Sequence, residues 1–283
     1  MPALPSCLLA PLWGQFAALL PARGEFATNH PLGCHRRRVP DRTVFEHVVL
    51  ALIHGSGYER ISTPGCSDRT IRRRLKEWAE QGISKAVHAL ALQAYDRMIG
   101  LELSDISVDG CITKSPCGGE HAGRSPVDRG KQGLKRSIAT DTHGVPLGLV
   151  ATGANRHDSP LLQPTLQAAM GQVGLMPDGV NVNLDRGYDN NKSRILLQEL
   201  GFTGEIACKG VPAPIQAGKR WTVERTHSWM NGYGKLRRCT EKNGAVVEFY
   251  LHLAAALVTL RILIRRATTH YRWDSRPTTR RLK

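Results

Sequence analysis

Residues 180–191 read VNVNLDRGYDNN. Val180, Val182 and Leu184 alternate with Asn181 and Asn183, the period-two pattern of a strand. The run stops at Asp185, where Arg186, Gly187 and a polar cluster follow as turn residues. An acid at the end of a strand is most often part of a turn. In an open α/β sheet the same place, beyond the carboxyl ends of the strands, is also where ligands sit. The choice between these readings depends on whether other acids reach that edge.

On either side of this stretch the pattern alternates between strands and helices. DISVD (105–109) reads as a strand, and LKRSIATDTHGVPLGLVAT (134–152) as a hairpin turning at Thr142, His143 and Gly144. SPLLQPTLQAAMGQVG (159–174) is a helix despite Pro164, NKSRILLQELG (191–201) a helix and GEIAC (204–208) a strand. RWTVERTHSWMNGYGKLRRC (220–239) is a helix interrupted or strained by Gly232 and Gly234. The order β-β-β-α-β-α-β-α describes an α/β protein with a mixed five-stranded sheet flanked by helices.

The first hundred residues read as helical. In PDRTVFEHVVLALIHGSG (40–57), Val44, Val48, Ala51 and Leu52 share one side, and Gly55 with Gly57 ends the run. Pro64 and Gly65 make a turn, Ser67 or Asp68 caps a second helix, and Ile71, Leu75 and Trp78 face inward there. Its outer face carries Arg69, Arg72, Arg73 and Lys76, a helix-turn-helix-like arrangement that suits DNA; a solvated basic face is the plainer reading. Residues 1–20, with Pro2, Pro5 and Pro11 and no basic start, read as a poorly regular lead-in plus a short helix and not as a signal peptide.

The charge narrows the choice of partner. The formal net charge of the 283-residue chain is +15 and its pI about 9.9, which favours nucleic acid or an anionic membrane. FYLHLAAALVTLRILI (249–264) contains His252 and Arg261 and is shorter than the ~20 apolar residues of a spanning helix, so it reads as core and the membrane loses to nucleic acid. Seven cysteines without regular spacing fit a reduced cytosolic setting. Cys111, Cys117 and His121 match no zinc spacing, and the absence of a GxxxxGK[ST] stretch leaves ATP unsupported.

Two further acids fit the edge marked by Asp185. Asp109 closes the first expected strand, 76 residues earlier, and Glu224 lies early in the last helix, 39 residues later. Three converging carboxylates repel one another unless cations neutralise them. Mg²⁺, or Mn²⁺ in its place, takes oxygen ligands and can activate a water or a DNA 3′-hydroxyl. Asp105, four residues before Asp109 and on the same strand face, competes for the role; Asp109 is preferred because it stands at the expected strand end. Each acid taken alone also fits a structural role, as a turn residue or a first-turn helix acid.

At this point the chain resembles the bacterial insertion-sequence DDE transposases, specifically the insertion-sequence-five family. The resemblance rests on VPDRTVFEHVVLALIHGSGY, SVDG, DRGKQGLKRSIATDTHGVPLGLVATGANRHDSPLL, LDRGYDN and RWTVERTHSWMNGYGKLRRCTEK, which together run from about residue 40 to residue 265. It implies a ribonuclease-H-like catalytic domain over 101–265, behind a helical DNA-binding region over 1–100 and before a basic tail over 266–283. It implies that Asp109, Asp185 and Glu224 form a metal-binding triad that cuts at the ends of a mobile element and joins them to target DNA, without ATP. A related signature in the wider superfamily places Tyr, Arg and Lys around the final Glu. Arg220 matches the Arg, but Ala217 stands at the Tyr position and Asn231 at the Lys position. Lys235, on the Glu224 face by helical spacing, is then the expected phosphate contact.

Basic residues around the core complete the reading. Lys131 and Lys135, with Arg129 and Arg136, precede and enter the second strand beside the expected acids, where phosphate contact competes with a solvated loop. CHRRR (34–38) and the C-terminal tail suit non-specific backbone binding. Trp229, Met230, Tyr233 and Trp221 read as core, Trp221 having base stacking as a second reading. The expectation is a cytoplasmic, nucleoid-associated transposase acting on double-stranded DNA as a homo-oligomer. A catalytically silent DNA-binding derivative and a stand-alone nuclease of the same fold are the rivals.

Overall fold

The computed structural model describes residues 4–22, 38–208, 210–211 and 219–271. The expectations for residues 34–37, Ala217 and the tail beyond residue 271 lie outside them.

Five helices come first: α1 (Ser6–Ala18), α2 (Asp41–His54), α3 (Tyr58–Ile61), α4 (Asp68–Glu80) and α5 (Ile83–Met98). Ser67 caps α4, its Oγ accepting the Thr70 N–H at 3.3 Å, and Ile71, Leu75 and Trp78 are buried as their spacing requires. The outward arginines of that helix flank Arg74, which is buried against Asp41 and Glu77. Of the lead-in and short helix expected over residues 1–20, the described part is mostly helix, thirteen residues long with Pro11 inside it. An interior proline costs ~3 kcal/mol. Burial of Leu12 and Phe16 contributes about 1.5–3 kcal/mol each and offsets that cost. The Phe16 ring lies 4.7 Å from Phe45 and 4.9 Å from Trp78.

The sheet is built from β1 (Asp105–Lys114), β2 (Gly123–Arg124), β3 (Gln132–Thr140), β4 (Pro146–Gly153), β5 (Asn181–Leu184) and β6 (Thr203–Ile206). The path runs β4-β3-β1-β5-β6, with the two-residue β2 pairing the start of β3. β1, β3 and β4 are antiparallel, whereas β5 and β6 join parallel to β1. This is the strand order of the ribonuclease-H-like sheet, with β2 as an addition to the expected five. The crossovers are α6 (Leu162–Val173) and α7 (Asn191–Glu199), the latter capped by Asn190.

β1 is longer than expected. It runs past Asp109 to Lys114 because β3 pairs with it from Ser107 to Lys114, whereas β5 accompanies it only as far as Ser107. Asp109 therefore stands in mid-strand, at the level where its parallel neighbour has ended.

The expected last helix is two, α8 (Trp221–Asn231) and α9 (Gly234–Arg237), and a third, α10 (Gly244–His270), follows. Long-range packing causes the break. Gly55 ends α2 in a left-handed conformation (φ 69°), and a Cβ on either Gly55 or Gly234 would overlap the other's backbone. Only two glycines allow the end of α2 to touch the start of α9.

By length and composition α10 passes as a membrane span, with a mean hydropathy of 1.7, but 72% of that window is buried inside the protein. It packs on α4, α5 and β4, and one apolar cluster runs from the N-terminal helices through α10 to the sheet. The change at residue 100 is thus a change of element type within a shared core.

Candidate active site at the edge of the sheet

Strand register brings the first two acids level. β1 and β5 pair as Asp105↔Asn181, Ile106↔Val182 and Ser107↔Asn183. Carried two residues further, the same register sets Asp185 beside Asp109. Asp185 ends its strand and caps a one-turn 3-10 helix, Oδ1 accepting the Gly187 N–H at 2.6 Å. Asp109 Oδ1 accepts the N–H of Gly110 at 2.7 Å. Glu224, exposed in the first turn of α8, brings its carboxyl within hydrogen-bonding reach of Asp109. Burial, then the charge of Glu224 and, more weakly, that of Asp185, hold the Asp109 carboxyl well above its usual range, with the Gly110 N–H opposing them in part.

The donors are oxygens, the set that hard divalent cations take. The three acids meet pairwise around Asp109 without forming a closed clasp: among the described residues no three His, Cys, Asp or Glu side chains converge closely enough to hold an ion as they stand. Two of the oxygens involved are turned to backbone N–H groups, and each carboxylate keeps a second oxygen. Like charges brought this close, with no cation set against Asp109 among the described residues, fit a cation site.

Asp105 faces a different environment. Burial works against its charge, but Lys219 and the amides of Asn181 (2.9 Å) and Asn183 (3.4 Å) outweigh it, and its pKa falls below the usual value. It stands at the start of β1, four residues before Asp109.

A buried network that sequence reasoning missed joins β1, β3 and α8. His227 Nε2 lies 3.3 Å from the Asp109 carbonyl oxygen, and Arg136 Nε donates to His227 Nδ1 at 3.4 Å. Burial and the Arg136 charge lower the His227 pKa to about 3, so the ring is neutral and the tautomer is set: Nε2–H donates and Nδ1 accepts. Arg136 Nη2 also donates to Asn231 Oδ1 at 2.6 Å and to the His227 carbonyl at 3.3 Å. The signal in the sequence was Lys135 next to Arg136 within a strand. Neighbouring residues face opposite sides, so a strand covered on both faces must bury both cations.

The expected DNA contacts divide into three groups. Arg69, Arg72, Arg73 and Lys76 are exposed on α4, where Arg72 lies over the Tyr58 ring at 4.7 Å. Lys131 is exposed with Asp128 at 3.7 Å, and Arg220 is half-buried at the N-cap of α8. Lys135 and Lys235 require correction, because neither is presented to a ligand. Lys135 is buried and donates to both Asp158 oxygens at 3.0 Å. Lys235 falls outside the Glu224 helix, which ends at Asn231, and its ammonium is buried against Glu241 at 2.5 Å and Thr240 at 3.2 Å. Asp158 is a further unanticipated neighbour of the site: a Cβ on Gly110 would overlap it, and its charge joins burial and those of Asp109 and Asp185 in raising the Tyr188 phenol. Trp221 also departs from expectation, being 43% exposed with Arg225 stacked on it at 4.1 Å.

Carboxylates gathered where the parallel pairing ends, on a chain of net charge +15, fit an α/β protein that handles a polyanion. Residues 105–209 match the family model described as "Transposase DDE domain". Over 141 residues the chain is 35% identical to a Burkholderia cepacia protein named "Putative transposase for insertion sequence element IS402", covering 48% of this chain and 67% of that one. Two solved structures overlap it. A pre-cleavage Mos1 transpososome does so at 10% identity and a TM-score of 0.30, over 94% of this chain and 88% of that one. A Mos1 transposase paired-end complex with left transposon end does so at 12% identity and a TM-score of 0.28, over 89% and 88%. The chain belongs to the insertion-sequence DDE transposases, a family that works with divalent metal.

Proposed function

We propose that Asp109, Asp185 and Glu224 are the catalytic and metal-binding triad of this transposase, of the insertion-sequence-five group, and that Mg²⁺, with Mn²⁺ as a substitute, is its cofactor. The observation that carries the reading is the β1–β5 register, which sets Asp185 level with Asp109, together with the negative charge of Glu224 against Asp109. A divalent ion supplies the charge needed to bring a water or a 3′-hydroxyl to an anionic phosphodiester. The chain's own residues do the rest. The rigid strand pair fixes two carboxylates, α8 delivers the third, and the Arg136–His227–Asn231 network holds α8 against β1, so that rate comes from positioning.

The substrate in this reading is double-stranded DNA. The ends of the element are cut at their inverted repeats, and the freed 3′ ends are joined to target DNA by the same site. The exposed α4 cations, Lys131 and Arg220 contact backbone phosphates. Residues 1–100 act as the DNA-binding region, 101–265 as the catalytic region and the basic residues after 265 as a non-specific arm. The active complex is a homo-oligomer that needs no ATP and works in the cytoplasm on nucleoid DNA.

Incubation of a supercoiled plasmid carrying candidate ends with Mg²⁺ tests the reading. Nicking and end joining are expected, and both vanish in Asp185→Asn. DNA binding without nicking in the wild type would instead assign a silent DNA-binding derivative, and nicking without joining a nuclease.

A further inference from the structure

Beside the acids lies a second feature that the triad does not use. Ser228 and Trp229 of α8 and Val258, Arg261, Ile262 and Arg265 of α10 line a groove of about 410 Å³. A second hollow of about 430 Å³ shares Arg265 and continues past Arg266 and His270. No acid lines either one among the described residues, and Arg261 and Arg265 are exposed and pair with no carboxylate there.

The cations are interleaved with aromatic faces. Arg225 lies over Trp221 at 4.1 Å and Trp229 at 4.7 Å, Arg265 over Trp229 at 5.9 Å and Arg261 over Tyr233 at 5.7 Å. Burial and the Arg265 charge hold the Arg225 guanidinium below its usual range. These arginines outnumber the buried carboxylate of Asp141, whose charge opposes the shift of Arg225 only in part, so the complement is a polyanion. The residues after α10 do not provide it. Positions 272–283 carry Arg272, Arg276, Arg280, Arg281 and Lys283 against the single acid Asp274.

Geometry narrows the polyanion further. Packed helices lie ~8–10 Å apart, and the crease between them admits one strand and not a duplex. Arg261 and Arg265 repeat along α10 with a rise of ~6 Å, which suits successive phosphates of an extended strand. Cations alternating with aromatic faces are how proteins hold single strands without regard to sequence. Ser228 is one helical turn from Glu224, so the groove begins beside the triad.

We propose that the α8–α10 groove holds a single strand of DNA by its phosphates, namely the unpaired end left next to a cut. The inference rests on the transposase reading and gives the product strand a path away from the acids.

Fluorescence anisotropy in metal-free buffer tests it with a labelled single strand of about twelve nucleotides, a length within the range such sites take. The double variant Arg261→Ala/Arg265→Ala is expected to weaken single-strand binding about tenfold and to lower the salt slope by about 1.4, two phosphates at ~0.7 each. Duplex affinity changes less than about twofold. Arg261→Lys/Arg265→Lys restores the slope, which separates lost charge from lost fold. Lys114→Ala/Lys242→Ala removes the same charge from exposed positions outside the groove and the DNA-binding region and leaves binding as in the wild type. The proposal is overturned by equal losses in the two alanine doubles, by a lysine double that restores nothing, or by strand binding that is unaltered. Unaltered binding with a changed sedimentation coefficient would give the groove to a second copy of the chain and overturn it equally. Plasmid nicking keeps the two readings apart: nicking with unaltered strand binding removes the groove alone, and strand binding lost in the alanine double without any wild-type nicking removes the transposase chemistry alone.

Discussion

β1 carries two acids four residues apart on one strand face, Asp105 at its start and Asp109 in mid-strand, and they meet opposite environments. At the start of the strand, Asp105 accepts from Lys219, Asn181 and Asn183, and its pKa is lowered. At the level of Asp185, Asp109 meets Glu224 and Asp185, and its pKa is raised. The fold resolves the charge of Asp105 with its own lysine and amides. Around Asp109, among the described residues, it gathers charge of one sign, which in the proposed reading a cation from outside neutralises. Residue type alone does not separate a structural carboxylate from a functional one; the sign of the charges converging on it does.

The most severe test exchanges the two acids for their amides. Asp109→Asn is expected to slow plasmid nicking by about a thousandfold or more, whereas Asp105→Asn stays within about threefold of the wild type. Equal losses would break the distinction between the two acids. Next in size is the network behind Asp109. Arg136→Met leaves the acceptors on Asn231 and His227 without their buried donor, and denaturant melts should show a loss of about 3 kcal/mol. A loss below about 1 kcal/mol would mean that α8 is held to β1 by packing alone. The smallest effect is in the pH dependence of stability without metal. Asp109 has a raised folded pKa, so its contribution is fully present below the unfolded carboxylate range and is lost as pH rises through the folded value. Asp105 has a depressed one, so its contribution is present above the unfolded range and is lost as pH falls through the folded value. Thermal melts of Asp109→Asn should therefore gain on the wild type as pH rises, and those of Asp105→Asn should gain on it as pH falls. The latter shift is about 2 °C, because Lys219 is 54% exposed and solvent screens the pair. Parallel trends in the two variants would remove the contrast.

Local alternation was enough to read the strand ending at Leu184, the hairpin turning at Gly144 and the inward face of α4. The separation of Asp109 from Asp185 was also visible, and with parallel pairing it becomes a register. What stayed hidden was set by partners far away in the chain. β1 outran its expected end because β3 pairs with it through Lys114. Helical spacing carried Lys235 onto the Glu224 face only if the helix continued, and the meeting of Gly234 with Gly55 ended it. Lys135 read as a free cation because Asp158, 23 residues away, showed no local sign of being its partner. A charge in a sequence is visible, but its counter-charge is a property of the fold.

The contact of Gly55 with Gly234 bears on how such a protein measures DNA. Two backbones touching with no side chain between them leave no slack between the end of α2 and the start of α9. In the proposed reading, a hold on DNA taken by the neighbouring α4 would thereby be set at a constant remove from Asp109. The interval from the gripped base pairs to the severed bond would then be a dimension of the protein itself, as in a calliper, and not the reach of a tether.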